Sequence, residues 1–264
     1  MASKKICNKI ISYTDTGTGQ VIVLLHGYLE TKEVWTSFAQ ELSKSNRVVC
    51  IDIPGHGASE NIGETHTMKL LAEHINLLLS ELNIEQCALV GHSMGGYVAL
   101  AYANNYSERL YSLVLFHSSV YADNDEKKTN RLREIKFIEQ GKKDLIFSVN
   151  LPKMFADENA DKFSREISQI QNFAKTHNEQ GICAILKGMM ERKDQQEFVK
   201  NFAKPMLFIF GEKDNYIPAE AGKNMLALNP EIKSAWMKNS GHMGFVEEQE
   251  LALKVIQGFV ETLE

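Results

Sequence analysis

One short turn constrains the fold of this chain more than any other feature. Residues 87–90 form an apolar run that predicts a buried strand, and the sequence GHSMGG follows at residues 91–96, directly before a helical pattern. A strand-to-helix turn this tight leaves no room for Cβ atoms at Gly91 and Gly95, and it forces a strained backbone on Ser93 between them. We therefore predict that the Ser93 hydroxyl projects above a sheet, at the positive end of the following helix.

Short apolar runs alternate with amphipathic stretches on both sides of this turn. The run 21–25 is apolar throughout, as a strand buried on both faces requires. Strands that alternate with helices predict an α/β fold, with a mostly parallel central sheet and helices on both faces. The predicted strands of the first half are 6–13, 21–25, 47–53, 87–90 and 113–116, and the predicted helices are 33–43, 67–82 and 95–104.

The strand pattern is interrupted in the middle of the chain. From residue 119 to residue 202, apolar residues recur among charged ones at helical spacing, and the stretch is too long for a loop in a compact domain. The strand pattern then returns at 206–210 and 234–237, and an amphipathic helix begins near residue 247. We expect residues 1–118 and 203–264 to form one core domain, into which residues 119–202 are inserted as a helical cap, or lid.

The composition argues against several functional classes. Of the 264 residues, 44% are hydrophobic and 24% charged, and the formal net charge is -5, which is ordinary for a globular protein. No basic run and no membrane-length apolar run stands out, so we expect neither nucleic acid nor a membrane as a partner. The start lacks a signal-peptide core, and the 4 cysteines show no paired spacing. We expect a cytoplasmic monomer or homodimer that acts on a small-molecule substrate and uses no metal and no organic cofactor.

A serine nucleophile requires a base and an orienting acid, because its hydroxyl is weakly nucleophilic near neutral pH. His242 lies between small residues in the loop after the last predicted strand, and Asp214 lies just past the strand before it. Ligands gather at the carboxyl ends of strands in open sheets, and the order Ser, Asp, His is the one expected for such an elbow. We predict Ser93, His242 and Asp214 as the catalytic residues, with Glu212 and Asp123 as alternative acids.

An acyl-transfer site also needs two backbone N–H donors for the developing oxyanion. Met94 supplies one by its position directly after the nucleophile. We expect the other from the loop HGYL at residues 26–29, which follows the strand 21–25, and we assign it to Tyr28.

The walls of the substrate pocket are harder to predict. Apolar side chains of the cap are candidates, with packing inside the cap as the alternative for each. His117 follows the strand 113–116, where a structural histidine is the alternative. The predicted pocket residues are Tyr28, His117, Phe137, Phe147, Met154, Phe155 and Met189.

Four segments resemble the α/β-hydrolase superfamily, in its order and across nearly the whole chain. They read LLHG at 24–27, DIPGHGAS at 52–59, VGHSMGG at 90–96 and SGH at 240–242. The resemblance implies a serine hydrolase with a helical cap, in which His26 and His56 brace loops. Ser93 excludes the relatives that use an aspartate nucleophile, and the loop at 26–29 differs from the HGGG loop of lipases.

The resemblance leaves open which bond is cleaved. We expect a carboxylic ester hydrolase that works through an acyl-enzyme. One alternative is a carbon–carbon bond hydrolase, and another is a pyruvate-eliminating lyase of the menaquinone-synthase type, although Tyr97 stands where that synthase favours arginine. A non-enzymatic ligand receptor is a third alternative. The carbon–carbon and lyase reactions need a cation for a substrate carboxylate, and the candidates in the cap are Arg131, Arg133, Arg165 and Arg192.

Overall fold

The computed structural model of the protein describes residues 2–262. They form eight strands: β1 (Ala2–Ile6), β2 (Lys9–Thr16), β3 (Val21–Leu25), β4 (Arg47–Ile51), β5 (Cys87–His92), β6 (Leu110–Phe116), β7 (Met206–Gly211) and β8 (Lys233–Met237). All eight belong to one sheet, in the order β1-β2-β4-β3-β5-β6-β7-β8. Strand β2 is antiparallel to β1 and β4, and every other pair is parallel. The predicted α/β fold with a mostly parallel sheet is confirmed.

Helices connect and cover these strands. Helix α2 shows why they form: the Thr67 hydroxyl caps it by accepting from the N–H of Leu70, and Leu71, Ile75 and Leu78 repeat along its buried face. The α-helices within residues 2–262 are α1 (Thr36–Leu42), α2 (Met68–Glu81), α3 (Met94–Asn105), α4 (Asp125–Glu139), α5 (Lys143–Asn150), α6 (Ser164–Thr176), α7 (Glu179–Glu191), α8 (Gln196–Asn201), α9 (Ala219–Leu226), α10 (Gly244–Glu247) and α11 (Gln249–Glu261).

The central strands end together at one edge of the sheet. Strands β5 and β7 are buried along their whole length. The register pairs His92 with Phe116 and Phe116 with Ile209, so the carboxyl ends of β5, β6 and β7 lie side by side. The loops that follow these three strands therefore leave the sheet at the same edge, as the position of the predicted site requires.

One predicted strand is wrong. The run 6–13 is split between β1 and β2, which form a hairpin around Cys7 and Asn8. Both turn residues have positive φ, 47° and 66°, which is the conformation of a two-residue turn that matches the twist of paired strands. The pair Cys-Asn lacks the glycine that usually marks such a turn, so the sequence pattern did not reveal it.

Helices α4 to α8 form a helical segment, residues 125–201, between β6 and β7. No strand interrupts them in this described part of the chain. That the segment is a separate cap domain stays a prediction. No helix within residues 2–262 is long and apolar enough to cross a membrane.

His177 ties the helical segment to the loops of the sheet. Its Nδ1 accepts the N–H of Gly57 at 3.2 Å, and its Nε2 donates to the carbonyl of Leu29 at 3.1 Å. The ring also packs against that of His56, with centroids 4.8 Å apart. The contact with Gly57 needs a lone pair on Nδ1, so it exists only while the imidazole is neutral. Burial lowers the pKa of His177 to about 4.

This contact predicts a loss of stability in mild acid. The unfolded chain binds a proton at His177 near its ordinary pKa of 6.5, while the folded protein resists protonation down to about 4. The stabilisation is therefore complete above pH 6.5 and is lost as the pH falls towards 4. We expect the wild type to lose about 2–3 kcal/mol more unfolding free energy than His177→Gln between pH 7.5 and 4.5, measured by urea denaturation. Equal losses in the two proteins would contradict the assignment.

Candidate functional site

Ser93 occupies a strained turn between β5 and α3. Its backbone has φ 50° and ψ -114°, and its N–H donates to the carbonyl of Phe116 at 2.9 Å. A Cβ atom on Gly91 would lie 2.4 Å from the carbonyl oxygen of Gly95, and one on Gly95 would lie 2.4 Å from that of Leu25. Both positions therefore exclude every residue with a side chain, and the tight turn predicted from the motif is present.

His242 and Asp214 are joined by a direct hydrogen bond. The Nδ1 of His242 lies 2.8 Å from Oδ2 of Asp214, and the other carboxylate oxygen accepts the N–H groups of Tyr216 at 2.7 Å and Ile217 at 3.0 Å. Burial alone would raise the pKa of Asp214, but His242 and His117 outweigh it and hold the pKa well below its usual range. The carboxylate therefore stays charged and fixes the proton of His242 on Nδ1, which leaves Nε2 as an acceptor.

His117 lies behind Asp214. Its Nε2 accepts the N–H of Gly244 at 3.1 Å, so the ring proton must sit on Nδ1, which is 3.4 Å from Oδ2 of Asp214. Burial lowers the pKa of His117 to about 4, so the ring is neutral near pH 7. A neutral imidazole thus places its Nδ1 beside Oδ2 of Asp214, the same carboxylate oxygen that His242 contacts.

The two alternative acids have other surroundings. Asp123 forms ion pairs with Arg131 and Arg192, each at 2.5 Å. Glu212 is exposed. Among the acidic side chains of residues 2–262, Asp214 is the one that bonds to the ring of His242.

Some backbone N–H groups near Ser93 already have a hydrogen-bond acceptor in the protein, and others do not. The N–H of Gly27 donates to Glu30 at 2.7 Å, and that of Leu29 donates to Nε2 of His56 at 3.2 Å. Between them, the N–H of Tyr28 has no acceptor within residues 2–262. Met94 is the first residue of α3, where a backbone N–H has no partner inside the helix. Tyr28 and Met94 both line the cavity that contains Ser93.

A buried pair, Glu30 and His92, connects these parts of the site. Both side chains have no exposed surface, and Nδ1 of His92 lies 3.1 Å from the Glu30 carboxylate. On its other side, Nε2 of His92 lies 2.8 Å from the carbonyl oxygen of His242. A carbonyl accepts only, so Nε2 must carry a proton. Glu30 in turn accepts the N–H of Gly27.

These contacts set the charge of the pair. Burial disfavours both charges, but the attraction between the two groups outweighs it, so that the pKa of His92 is raised and the pKa of Glu30 is lowered. With a carboxylate at Nδ1 and a carbonyl at Nε2, both ring nitrogens of His92 must donate, so the pair is an imidazolium and a carboxylate, which together hold the loop of Gly27, the serine turn and the loop of His242. Neither residue was predicted from the sequence, although a histidine directly before the serine and a glutamate three residues after Gly27 were visible signals.

A cavity of about 290 Å³ contains Ser93 and His242. Three of the seven predicted pocket residues line it: Tyr28, Met154 and Met189. The other four lie elsewhere. His117 is behind the acid, Phe137 is 45% exposed on α4, and Phe147 and Phe155 are buried within the packed interior.

Much of the cavity wall is formed by polar residues and not by the phenylalanines that were predicted to line it. Helix α4 faces the cavity with side chains three or four positions apart, which lie on one helical face. Further lining side chains come from the loop that follows β7. The lining residues absent from the prediction include Lys127, Asn130, Glu134, Tyr216 and Ile217, and the cavity is also lined by Arg131, which was predicted as one of four candidate cations for a substrate carboxylate.

Comparisons with known proteins agree with this architecture. Residues 20–134 match the family model described as alpha/beta hydrolase fold. A thermophilic esterase from Thermogutta terrifontis has a similar structure, with a TM-score of 0.94 and 26% identity over 99% of this chain and 98% of that one.

Two sequence relatives extend the similarity. A 2-hydroxy-6-oxononadienedioate/2-hydroxy-6-oxononatrienedioate hydrolase from Paraburkholderia phymatum is 26% identical over 95% of this chain and 90% of its own. A pimeloyl-[acyl-carrier protein] methyl ester esterase from Aeromonas hydrophila is 25% identical over 95% of this chain and 99% of its own. The fold and these matches identify the chain as a hydrolase of the α/β fold that is similar to members of the α/β-hydrolase superfamily.

Proposed function

We propose that this protein hydrolyses an ester of a small molecule, with Ser93 as nucleophile, His242 as base and Asp214 as orienting acid. The observation that carries the proposal is the 2.8 Å bond between His242 Nδ1 and Asp214, which leaves Nε2 of His242 as a base in the cavity that contains Ser93. The esterase activities named for two of the similar proteins support the ester as substrate.

The reaction follows in two stages. Nε2 of His242 takes the proton of Ser93 as Oγ attacks the ester carbonyl, and Asp214 stabilises the imidazolium that forms. The N–H groups of Tyr28 and Met94 receive the negative charge on the carbonyl oxygen, each contributing about 3–4 kcal/mol. His242 then gives its proton to the departing alcohol, and a water molecule, activated in the same way, releases the acid from Ser93.

We further propose that residues 119–202 act as a cap over this site. Helix α4 and the segment Leu151–Met154 supply part of the cavity wall. The carbonyl of Met154 also accepts the N–H of His242 at 2.6 Å, which joins the cap to the loop of the base. Because part of the pocket wall comes from the inserted segment, the sequence of that segment determines the shape of the pocket. The proposed catalytic residues lie outside the segment.

A carbon–carbon bond hydrolase is the second candidate, because it uses the same three residues and one relative is named for that class of substrate. The lyase alternative favours an arginine at position 97, which is a tyrosine in this chain. The guanidinium of Arg192 lies over the ring of Tyr97, 3.9 Å from the ring centroid. Incubation with a 2-hydroxy-6-oxo dienoate beside simple aryl esters separates the two candidates. If the dienoate is turned over faster than the aryl esters, the protein is a carbon–carbon bond hydrolase and the ester proposal is wrong.

Removal of the nucleophile tests the proposal directly. We expect Ser93→Ala to lower kcat on a short p-nitrophenyl ester by a factor on the order of 10⁶ and to abolish labelling by a fluorophosphonate probe. The matched control is Ser148→Ala, an exposed serine of α5, which should keep both. Labelling that survives in Ser93→Ala would refute the assignment, and absence of labelling in the wild type would favour a ligand receptor.

Neutralising Glu30 tests the role of the buried pair. Glu30→Gln leaves His92 without its counter-ion in a site with no exposed surface. We expect kcat to fall by about 10- to 100-fold, with KM within about threefold, because the oxyanion loop and the base are displaced while the cavity wall is kept. Unfolding free energy should fall by about 3 kcal/mol. A loss of stability with an unchanged kcat in the folded variant would mean that the pair supports the fold alone.

A further inference from the structure

Helix α4 presents a charged face to the catalytic cavity. Lys127, Asn130, Arg131 and Glu134 are spaced by three or four residues, and all of them line the cavity that contains Ser93. Ester chemistry at Ser93 does not use these side chains. The predicted pocket residues from the cap were all apolar, with Arg131 only a candidate cation, so the presence of four polar side chains at the wall points to recognition of a polar group of the substrate.

Arg131 is held in place and is incompletely paired. Its Nε and Nη2 donate to the two carboxylate oxygens of Asp123, at 2.5 and 3.4 Å. Its third nitrogen, Nη1, has no acceptor among the described residues. The side chain is 17% exposed, so its position is fixed by packing and by Asp123 before any ligand arrives. A fixed guanidinium with a free nitrogen loses little entropy when it binds an anion.

The charges around Arg131 leave a positive excess. Asp123 is fully buried and pairs with Arg131 and Arg192 together, so this trio carries one net positive charge. Burial alone would raise the pKa of Asp123, but the two arginines outweigh it and keep the pKa lowered, so the carboxylate stays charged.

The other two charges of the face oppose each other. Lys127 is exposed at the cavity rim. Glu134 accepts the hydroxyl of Tyr28 at 2.9 Å, and burial raises the pKa of its carboxyl. Because Lys127 and Glu134 carry opposite charges, the net positive charge of Asp123, Arg131 and Arg192 remains at the cavity wall.

We propose that the substrate is a small ester with a carboxylate remote from the scissile bond, and that Arg131 binds this carboxylate. The proposal rests on the ester hydrolysis proposed above and names its substrate class. A carboxylate fits because it pairs with guanidinium through charge-assisted hydrogen bonds, which are stronger than neutral ones. Arg131 is then a specificity-determining residue of the cavity and takes no part in the proton transfers.

The carboxylate can belong to either half of the ester. In a half-ester of a dicarboxylic acid it lies on the acyl side, and in an ester of a hydroxy acid it lies on the alcohol side. Two pairs of similar-sized substrates distinguish these sources: monoethyl succinate against ethyl butyrate, and 3-acetoxypropanoate against butyl acetate. We expect the anionic member of at least one pair to have a kcat/KM at least about 10-fold higher, measured by proton release at fixed pH.

The decisive variant is Arg131→Gln, with Arg165→Gln as its control. Arg165 is an exposed arginine of α6, so its loss removes the same formal charge from the surface. Arg131→Gln should lower kcat/KM for the preferred anionic ester by about 10- to 100-fold and change the neutral ester by less than about threefold. Arg165→Gln should preserve the preference. A wild type without preference, or an equal loss on both esters, would overturn the proposal.

Inhibition by free succinate provides a readout that does not depend on turnover of an anionic ester. Succinate should compete with ethyl butyrate in the wild type, and its inhibition constant should rise about 10-fold or more in Arg131→Gln. An unchanged constant would contradict binding at Arg131. If the wild type hydrolyses no ester and resists the fluorophosphonate probe, the proposed function fails. If it hydrolyses neutral esters as well as anionic ones, the substrate class alone fails.

Discussion

A buried ion pair between Glu30 and His92 connects the three loops that carry the site. Neither group reaches solvent, so each relies on hydrogen bonds from the protein, and these come from Gly27 and from the carbonyl of His242. Such a pair is stable only when every partner is present, because an unpaired buried charge is strongly destabilising. The geometry of the loop of Gly27, the serine turn and the loop of His242 is therefore set jointly, and displacement of one of them disturbs the others.

Hydrogen-bond partners, more than burial alone, decide the charge of the histidines in this protein. His92, His117 and His177 are all buried. His92 faces a carboxylate on one side and a carbonyl on the other, and both demand a donor. His117 and His177 each accept a backbone N–H, which a protonated ring cannot do. The same residue type thus serves as a fixed cation in one place and as a neutral support in two others.

The sequence predicted site residues well where local backbone geometry restricts the residue type. It predicted them poorly where the packing of distant segments decides which side chains meet. Ser93 could be identified because its turn tolerates only glycine at two flanking positions. The cavity wall could not be read in the same way, because the face that α4 turns to the site depends on how the helical segment lies on the sheet. Hydrophobicity favoured Phe137, which is exposed, while Arg131 lines the cavity. Glu30 and His92 each stand beside a recognisable motif, but their pairing was missed because nothing local indicates a contact between residues 62 positions apart.

The bond between His92 and the carbonyl of His242 also bears on how the chain folds. It joins residues 150 positions apart, so it closes a long loop whose entropy must be lost before the contact forms. During synthesis, the loop that contains Glu30 and the turn that contains Ser93 leave the ribosome well before residue 242. The imidazolium of His92 therefore gains its last partner only when the C-terminal loop docks. The proposed active centre is therefore completed late, and nascent chains that already contain the serine turn are expected to be inert.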